Sequence, residues 1–239
     1  MPEPLLEVHS LTKRWGNTVA LDKVSLSVAG GTVLGLIGSS GSGKSTLARC
    51  ISRFERADSG HIRIDGRDDY GPEDVQLIFQ EAAASLNPRF TAEEVLEEPL
   101  LIRKRGTRGE RRRKAHEWLE AVGLPSGAAG KPALAFSGGE RQRLAIARAL
   151  IVGPKLLILD ESFSGLDLLL QAQMTALLAD LRRRFQLTCI LISHDLSLAA
   201  RISDEIAVMA GGALVGRDDP RVVDLFEASR ALSLKGALG

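Results

Sequence analysis

The sequence predicts an α/β fold with a buried parallel sheet, an antiparallel β layer near the start of the chain and a helical insertion in its middle. Three observations carry this. Val33-Leu34-Gly35-Leu36-Ile37 is an apolar run that passes through a glycine-rich loop into Thr46-Leu47-Ala48-Arg49-Cys50-Ile51, the order strand, loop, helix. Lys155 to Asp160 and Leu187 to Ile192 are nearly unbroken apolar runs, as in central strands covered on both faces. From Glu81 to Phe136 the β-branched runs vanish and Ala, Leu, Glu and Arg dominate, which reads as helices.

The composition agrees with one large domain or a domain with an inserted lobe: 239 residues, 44% hydrophobic and 26% charged. With 31 Lys and Arg against 30 Asp and Glu, the net charge of +1 gives no global bias toward nucleic acid. No apolar stretch approaches the ~18 residues a membrane span needs. Met1-Pro2-Glu3-Pro4 shows no basic-then-apolar leader pattern, so a soluble cytoplasmic protein is expected. Cys50 and Cys189 lack metal-ligand spacing and are expected to be reduced core residues.

In chain order, the alternating runs Leu5–His9 and Val24–Val28 are expected to form antiparallel strands with one wet face. Lys13 to Asn17 reads as a turn between them; Trp15 in that turn is either a packing anchor or a platform on which a base stacks. Ala57 to Gly60 reads as a second turn, followed by a short strand, His61–Gly66, with His61 as a solvated strand residue. Val75–Phe79 is a further strand, ending at Gln80. Thr91-Ala92-Glu93-Glu94 is a capping box, and Glu110–Val122 has helical periodicity. Eight of the twelve residues from Arg103 to Lys114 are basic. Without interleaved aromatics for base stacking, this run reads as a solvated helix face rather than an anionic-ligand patch.

Phe136-Ser137-Gly138-Gly139-Glu140 opens a helix at Arg141–Leu150, with either a plain N-cap or a second anion site at its start. The apolar run from Lys155 ends in Asp160 and Glu161, at the edge where open α/β sheets bind ligands. Asp160 suits a Mg²⁺ shell, and Glu161 is placed to orient or deprotonate an attacking water. Ser164–Asp167 turns into a helix over Leu168–Phe185, and the run from Leu187 ends at Ser193-His194-Asp195, where His194 is a candidate phosphate contact. Glu205–Met209 and Ala213–Gly216 read as a closing hairpin, and the chain from Asp218 as short helices or a frayed tail.

The loop Gly38-Ser39-Ser40-Gly41-Ser42-Gly43-Lys44-Ser45 fits G-x-x-x-x-G-K-[ST], the P-loop. Its glycines let successive backbone N–H groups converge on one anion, and the following helix adds its free amides and positive dipole end. Lys44 is expected to reach the β- and γ-phosphates, and the Ser45 hydroxyl to hold Mg²⁺.

With this loop in place, the order of motifs resembles that of the nucleotide-binding subunit of an ATP-binding cassette (ABC) transporter over nearly the whole chain. The matches are the P-loop, a Q-loop at Gln80, a signature at Phe136–Glu140, a Walker B strand with Asp160 and Glu161, a D-loop at Ser164–Asp167 and a switch histidine at His194. Ile78-Phe79-Gln80-Glu81, Ala84–Arg89, Glu98-Pro99-Leu100 and Leu166–Ala172 are similar to the peptide and nickel importer ATPases, with a lean toward the nickel member.

The resemblance implies a P-loop NTPase fold with a RecA-like core and an antiparallel β subdomain over 1–80 and 151–217, a helical subdomain over 81–150 and a tail over 218–239. It implies ATP and Mg²⁺ as ligands, held by Trp15 on adenine and by Gly38, Ser39, Ser40, Gly41, Ser42, Gly43, Lys44, Ser45 and Thr46. Ser45, Gln80 and Asp160 would attend the metal, and Glu161 would be the general base, with Gln80 sensing the water and His194 contacting the γ-phosphate. Ser137, Gly138 and Gly139 would bind the ATP of an opposite subunit, so hydrolysis needs a dimer.

The implied function is that of an importer subunit for nickel or small peptides at the cytoplasmic face of a bacterial inner membrane. Its partners would be a second ATPase subunit, two permeases and, indirectly, a solute-binding protein, with no nucleic acid. A soluble cassette ATPase of iron–sulfur assembly is the alternative. The chain departs from the family at Phe136 (usually Leu), Glu140 (Gln), Ser162-Phe163 (Pro-Thr) and Gly165 (Ala), changes expected to tune the rate. With cysteines only at 50 and 189, no iron–sulfur site is expected.

Overall fold

Strand β6 (Leu156–Asp160) shows why its sequence is apolar throughout: Leu156 and Ile158 point into one core, and Leu157 and Leu159 into another. A strand covered on both faces has no wet side to alternate with. The computed structural model describes residues 4–80, 82–163 and 165–216. Within them β6 belongs to a six-stranded sheet of order β5-β6-β7-β3-β8-β9. The members are β3 (Val33–Ile37), β5 (Val75–Ile78), β7 (Thr188–Ser193), β8 (Glu205–Ala210) and β9 (Ala213–Val215). The first five in spatial order run parallel, and β9 closes the edge as an antiparallel hairpin with β8. The carboxyl ends of β6, β3 and β7 therefore lie side by side.

A second sheet, of order β2-β1-β4, is antiparallel. It is built from β1 (Pro4–Trp15), β2 (Thr18–Ala29) and β4 (Ser59–Ile64). Its inward residues Leu6, Val8, Leu11, Leu21, Val24 and Ile64 share a core with Leu34 and Leu36 of β3 and with Leu47, Ala48 and Ile51 of helix α1 (Lys44–Ile51). Helix α1 thus lies between the two sheets. The expected turn at 13–17 is shorter than the sequence suggests: Lys13, Arg14 and Trp15 continue β1, and only Gly16 and Asn17 turn, Gly16 at φ 57. Likewise Ser59 and Gly60 are strand and not turn, because they pair back onto β1.

Between β5 and β6 every described element is helical. The helices are α2 (Ala92–Ile102), α3 (Arg108–Ala121) and α4 (Gly138–Leu150), with single 3₁₀ turns at Ala82–Ser85, Ser126–Ala128 and Ala133–Ala135. Each α-helix here begins with a capping box, Thr91 with Glu94, Thr107 with Glu110 and Ser137 with Glu140. In each, hydroxyl and carboxylate satisfy amides that the first helical turn leaves free. For that reason α4 begins at Gly138, three residues before the start read from periodicity.

The basic run is mostly exposed, as a solvated face would be, with local partners: Arg105 donates to Val152 O, Arg112 pairs with Glu93 at 3.1 Å and Arg113 with Glu117 at 3.6 Å. Helix α5 (Leu168–Phe185) has the extent read from the sequence, whereas α6 (Leu196–Ile202), capped by Asp195, was not foreseen. No described helix is long and apolar enough to cross a membrane. The tail from Asp218 lies outside the described residues.

Leu36, 1% exposed in the central strand, is a fair probe of this packing. Leu36→Ala is expected to cost about 2–5 kcal/mol of stability. Leu168→Ala, at a residue 84% exposed, should cost under about 0.5 kcal/mol. Urea denaturation midpoints of the two variants test the contrast.

Candidate active site

The site forms where β3 ends and α1 begins. Gly38 follows β3 with φ 153, and a Cβ there would lie 2.2 Å from Met209 O. Gly43 caps α1 at φ 106, where a Cβ would lie 2.5 Å from Ala20 O. Only glycine fits either place, so the loop is held tight against its neighbours. Ser42 N–H donates to Ser39 O and Ser42 O accepts from Gly212 N–H, which closes the turn and ties it to the β8–β9 hairpin. Ser39, Ser40 and Gly41 at its crest face solvent, while Ser45 and Thr46 lie half-buried in the first turn of α1.

Lys44 is buried, and its ammonium donates to Gly38 O at 2.8 Å and Ser39 O at 2.9 Å. Burial pushes its pKa down, and the nearby Glu161 and Asp160 carboxylates partly restore it. Ser45 Oγ donates to Asp160 Oδ1 at 3.1 Å, so α1 and the end of β6 meet at this bond. Asp160 is 7% exposed. Burial raises its pKa, against the pull of the Ser45 hydroxyl.

Glu161 stands one residue past β6 in the left-handed region, φ 50. For a non-glycine residue that conformation costs about 1–3 kcal/mol and persists only where neighbours over-determine it. Its carboxylate faces His194, Nδ1 to Oε1 3.8 Å, and His194 itself is exposed just past β7. Gln80 lies two residues past β5, whose last residue Ile78 pairs with Leu159, so it sits on the same sheet edge with its side chain in solvent. Gln80, Asp160, Glu161 and His194 thus line the carboxyl edge beside the P-loop.

Trp15 lies on the antiparallel sheet, 46% exposed, with Lys13 Nζ 4.5 Å from its ring centroid. It is not a core anchor, since nearly half of it is exposed and a lysine ammonium lies over its ring. Ser137 and Gly138 are exposed at the start of α4, and a Cβ at Gly138 would meet nothing within 4 Å. The cleft beside them is lined by residues including Arg143, Asp167, Leu170 and Gln173, and by no P-loop residue.

The departures in the signature have a physical basis. Glu140 accepts from Ser137 N–H at 2.7 Å, a capping role that Glu and Gln both fill. That amide holds its carboxyl below the usual range. Phe136 is buried under Lys131, whose Nζ lies 4.2 Å from the ring centroid. Of the D-loop, Asp167 caps α5 by accepting from Leu170 N–H; Ser164 is outside the described residues. Cys50 and Cys189 are buried free thiols, pushed up to about 11 and about 12, too buried for redox or metal work.

Two residues escaped the motif reading. Gln142, buried on α4, donates from Nε2 to Ser162 O at 3.1 Å, and Ser162 Oγ donates to Ile78 O at 2.9 Å. A signal was present: Gln142 shares a helix face with Ala145, Ile146 and Ala149, where a polar side chain is buried only with a partner.

Such a loop, with a buried acid beside its serine and a second acid one residue on, defines a P-loop ATPase. The chain belongs to the ABC transporter family, whose family model matches residues 21–164. It is 42% identical over 231 residues to the oligopeptide transport ATP-binding protein OppF of Bacillus subtilis, covering 90% of this chain and 75% of that one. It is 41% identical over 225 residues to a putative peptide import ATP-binding protein of Brucella ovis (89% and 71% covered). It is 42% identical over 222 residues to the methionine import protein MetN of Rhizobium etli (89% and 60%).

Among solved structures, it resembles the cassette MJ0796 in a dimeric post-hydrolysis state bound to ADP and Pi, at TM-score 0.76 and 30% identity (88% and 97% covered). The cassette MJ1267 in its ADP conformation gives TM-score 0.80 at 26% identity (94% and 99%). The chain is therefore an ATPase that uses ATP with Mg²⁺. The donors present fit that ion: a hydroxyl and a carboxylate, hard oxygen ligands at one point.

The folded-state pKa of Asp160 is raised, so its contribution is fully favourable below the unfolded value and is lost as pH rises through the folded value. At neutral pH, without nucleotide or metal, Asp160→Asn should have a higher thermal midpoint than the parent while losing Mg-ATP binding. Lys44→Ala should weaken Mg-ATP binding about 10- to 150-fold, since a charge-assisted hydrogen bond contributes about 1.5–3 kcal/mol. Calorimetric titration with Mg-ATP measures both losses.

Proposed function

We propose that the chain is the ATP-hydrolysing subunit of a bacterial importer for small peptides or nickel, acting at the cytoplasmic face of the inner membrane. The carrying observation is that the cleft at the Ser137–Gly139 signature is lined by no P-loop residue, although both stretches open a helix. A signature open to solvent suits completion of a second subunit's site. The names of the relatives, oligopeptide, peptide and methionine import proteins, support import and favour the peptide arm of the substrate class.

In this reading Trp15 stacks on adenine, and the P-loop amides with Lys44 and Thr46 hold the phosphates. Ser45, Asp160 and Gln80 would hold Mg²⁺, which would supply positive charge against the phosphates. Glu161 takes the proton of the attacking water, with Gln80 orienting that water. His194 contacts the γ-phosphate, and Ser137, Gly138 and Gly139 reach the γ-phosphate bound by the partner subunit. ATP closes the pair and hydrolysis releases it, which shifts the permeases between states.

Residues 81–150 act as the helical subdomain that meets the permease, and a solute-binding protein delivers cargo from the far side. A cleft of about 410 Å³ where this helical stretch meets β5 supports the permease contact. It is lined in part by Phe54 and Phe79, 65% and 39% exposed, whose rings meet edge to face at 5.7 Å.

Glu161→Gln decides the catalytic part. It should bind ATP with near-parental affinity, accumulate as an ATP-bound dimer in size-exclusion chromatography and lose hydrolysis by at least about 100-fold. Near-normal turnover in that variant would refute the assigned base. Co-purification of the tagged chain with two membrane proteins from its native host tests the importer part.

A further inference from the structure

The two-residue segment Glu161-Ser162 is fastened from three separate elements. Glu161 N–H donates to Ile192 O of β7 at 3.1 Å. Ser162 Oγ donates to Ile78 O of β5 at 2.9 Å, and Ser162 O accepts from Gln142 Nε2 of α4 at 3.1 Å. Ser162 is 2% exposed and Gln142 5%, so water does not compete for these bonds. The residue they bracket is Glu161, in its left-handed conformation. Backbone direction at a residue sets where its side chain leaves the chain. The bonds on either side therefore determine where the Glu161 carboxylate can point.

We propose that Ser162, seated by Gln142, is a positioning residue for ATP hydrolysis: it fixes Glu161 relative to Gln80 and ties both to the signature helix. This rests on the reading of Glu161 as the base. The Ser162 hydroxyl reaches the carbonyl of Ile78, two residues before Gln80, so one bond sets the spacing of the two groups that must meet the same water. Gln142 lies five residues after Ser137, on the helix that Ser137 caps. The position of that helix is thereby transmitted to the carbonyl of Ser162, one residue past Glu161, through a single side-chain amide. A proline at this position would have no hydroxyl and could not make the bond to Ile78. A buried hydroxyl is costly unless bonded, and here its bond goes to the strand that delivers Gln80.

The test is steady-state hydrolysis by the full chain at saturating Mg²⁺, normalised to sites counted with a fluorescent ATP analogue. Ser162→Ala should lower kcat about tenfold and leave KM and analogue affinity within about twofold, since misplacement of a catalytic group acts on the chemical step. Ser162→Thr, which keeps the hydroxyl, should recover most of that loss, and Gln142→Met should show a kcat loss in the same direction. On the Glu161→Gln background, Ser162→Ala should have no further effect on residual turnover, because it acts through Glu161.

An unchanged kcat per site in Ser162→Ala, with only a lower melting temperature, overturns the proposal. So does a full tenfold loss repeated on the Glu161→Gln background. An inactive Glu161→Gln beside a normal Ser162→Ala sinks the positioning role alone, whereas an active Glu161→Gln sinks the base assignment itself.

Discussion

The bond between Ser45 and Asp160 is the constraint on which the site depends. It joins a helix and a strand from opposite halves of the sequence, and it places a carboxylate where burial disfavours its charge. Lys44, also buried, is held by carbonyls of its own loop within the field of Glu161 and Asp160. Each charge is costly in isolation, and together they form a setting in which a polyanion with a divalent cation is the natural complement. The parallel sheet makes this possible because all its central strands end on the same side.

Around that bond the fold supplies rigidity by different means on each side. On the P-loop side, steric closure does it: Gly38 and Gly43 sit so close to Met209 and Ala20 that the loop has one path. On the acid side, hydrogen bonds do it: the chain after β6 is held by β7, β5 and α4 while Glu161 keeps a left-handed backbone. The first device depends on having no side chain, the second on having particular ones. Substitutions are accordingly tolerated differently at the two sides.

Much of this was legible from the residues. The P-loop, the paired acids and the helices from Thr91 and Leu168 stand out because local chemistry alone dictates them: glycines for the turn, a capping box, an apolar run that ends in charge. Strand ends were less legible. Lys13 to Trp15 and Ser59 to Gly60 look like turn residues, yet each is drawn into a ladder by a partner strand. The Ser162–Ile78 and Gln142–Ser162 bonds were invisible, since they span 84 and 20 residues and no spacing rule anticipates them.

The order of strands across the large sheet has a further consequence, for synthesis. β3 carries the phosphate loop yet finds its neighbours only in β7 and β8, with Val33 beside Cys189 and Leu34 beside Glu205. The helices α2 to α4, each opened by its own capping box, have their starts written within four residues. As the chain leaves the ribosome the helical stretch can therefore take shape while β3 is still without a partner on either side. The nucleotide loop is among the first segments made and among the last to be assembled, so a nascent chain gains its grip on ATP only when nearly the whole fold is in place.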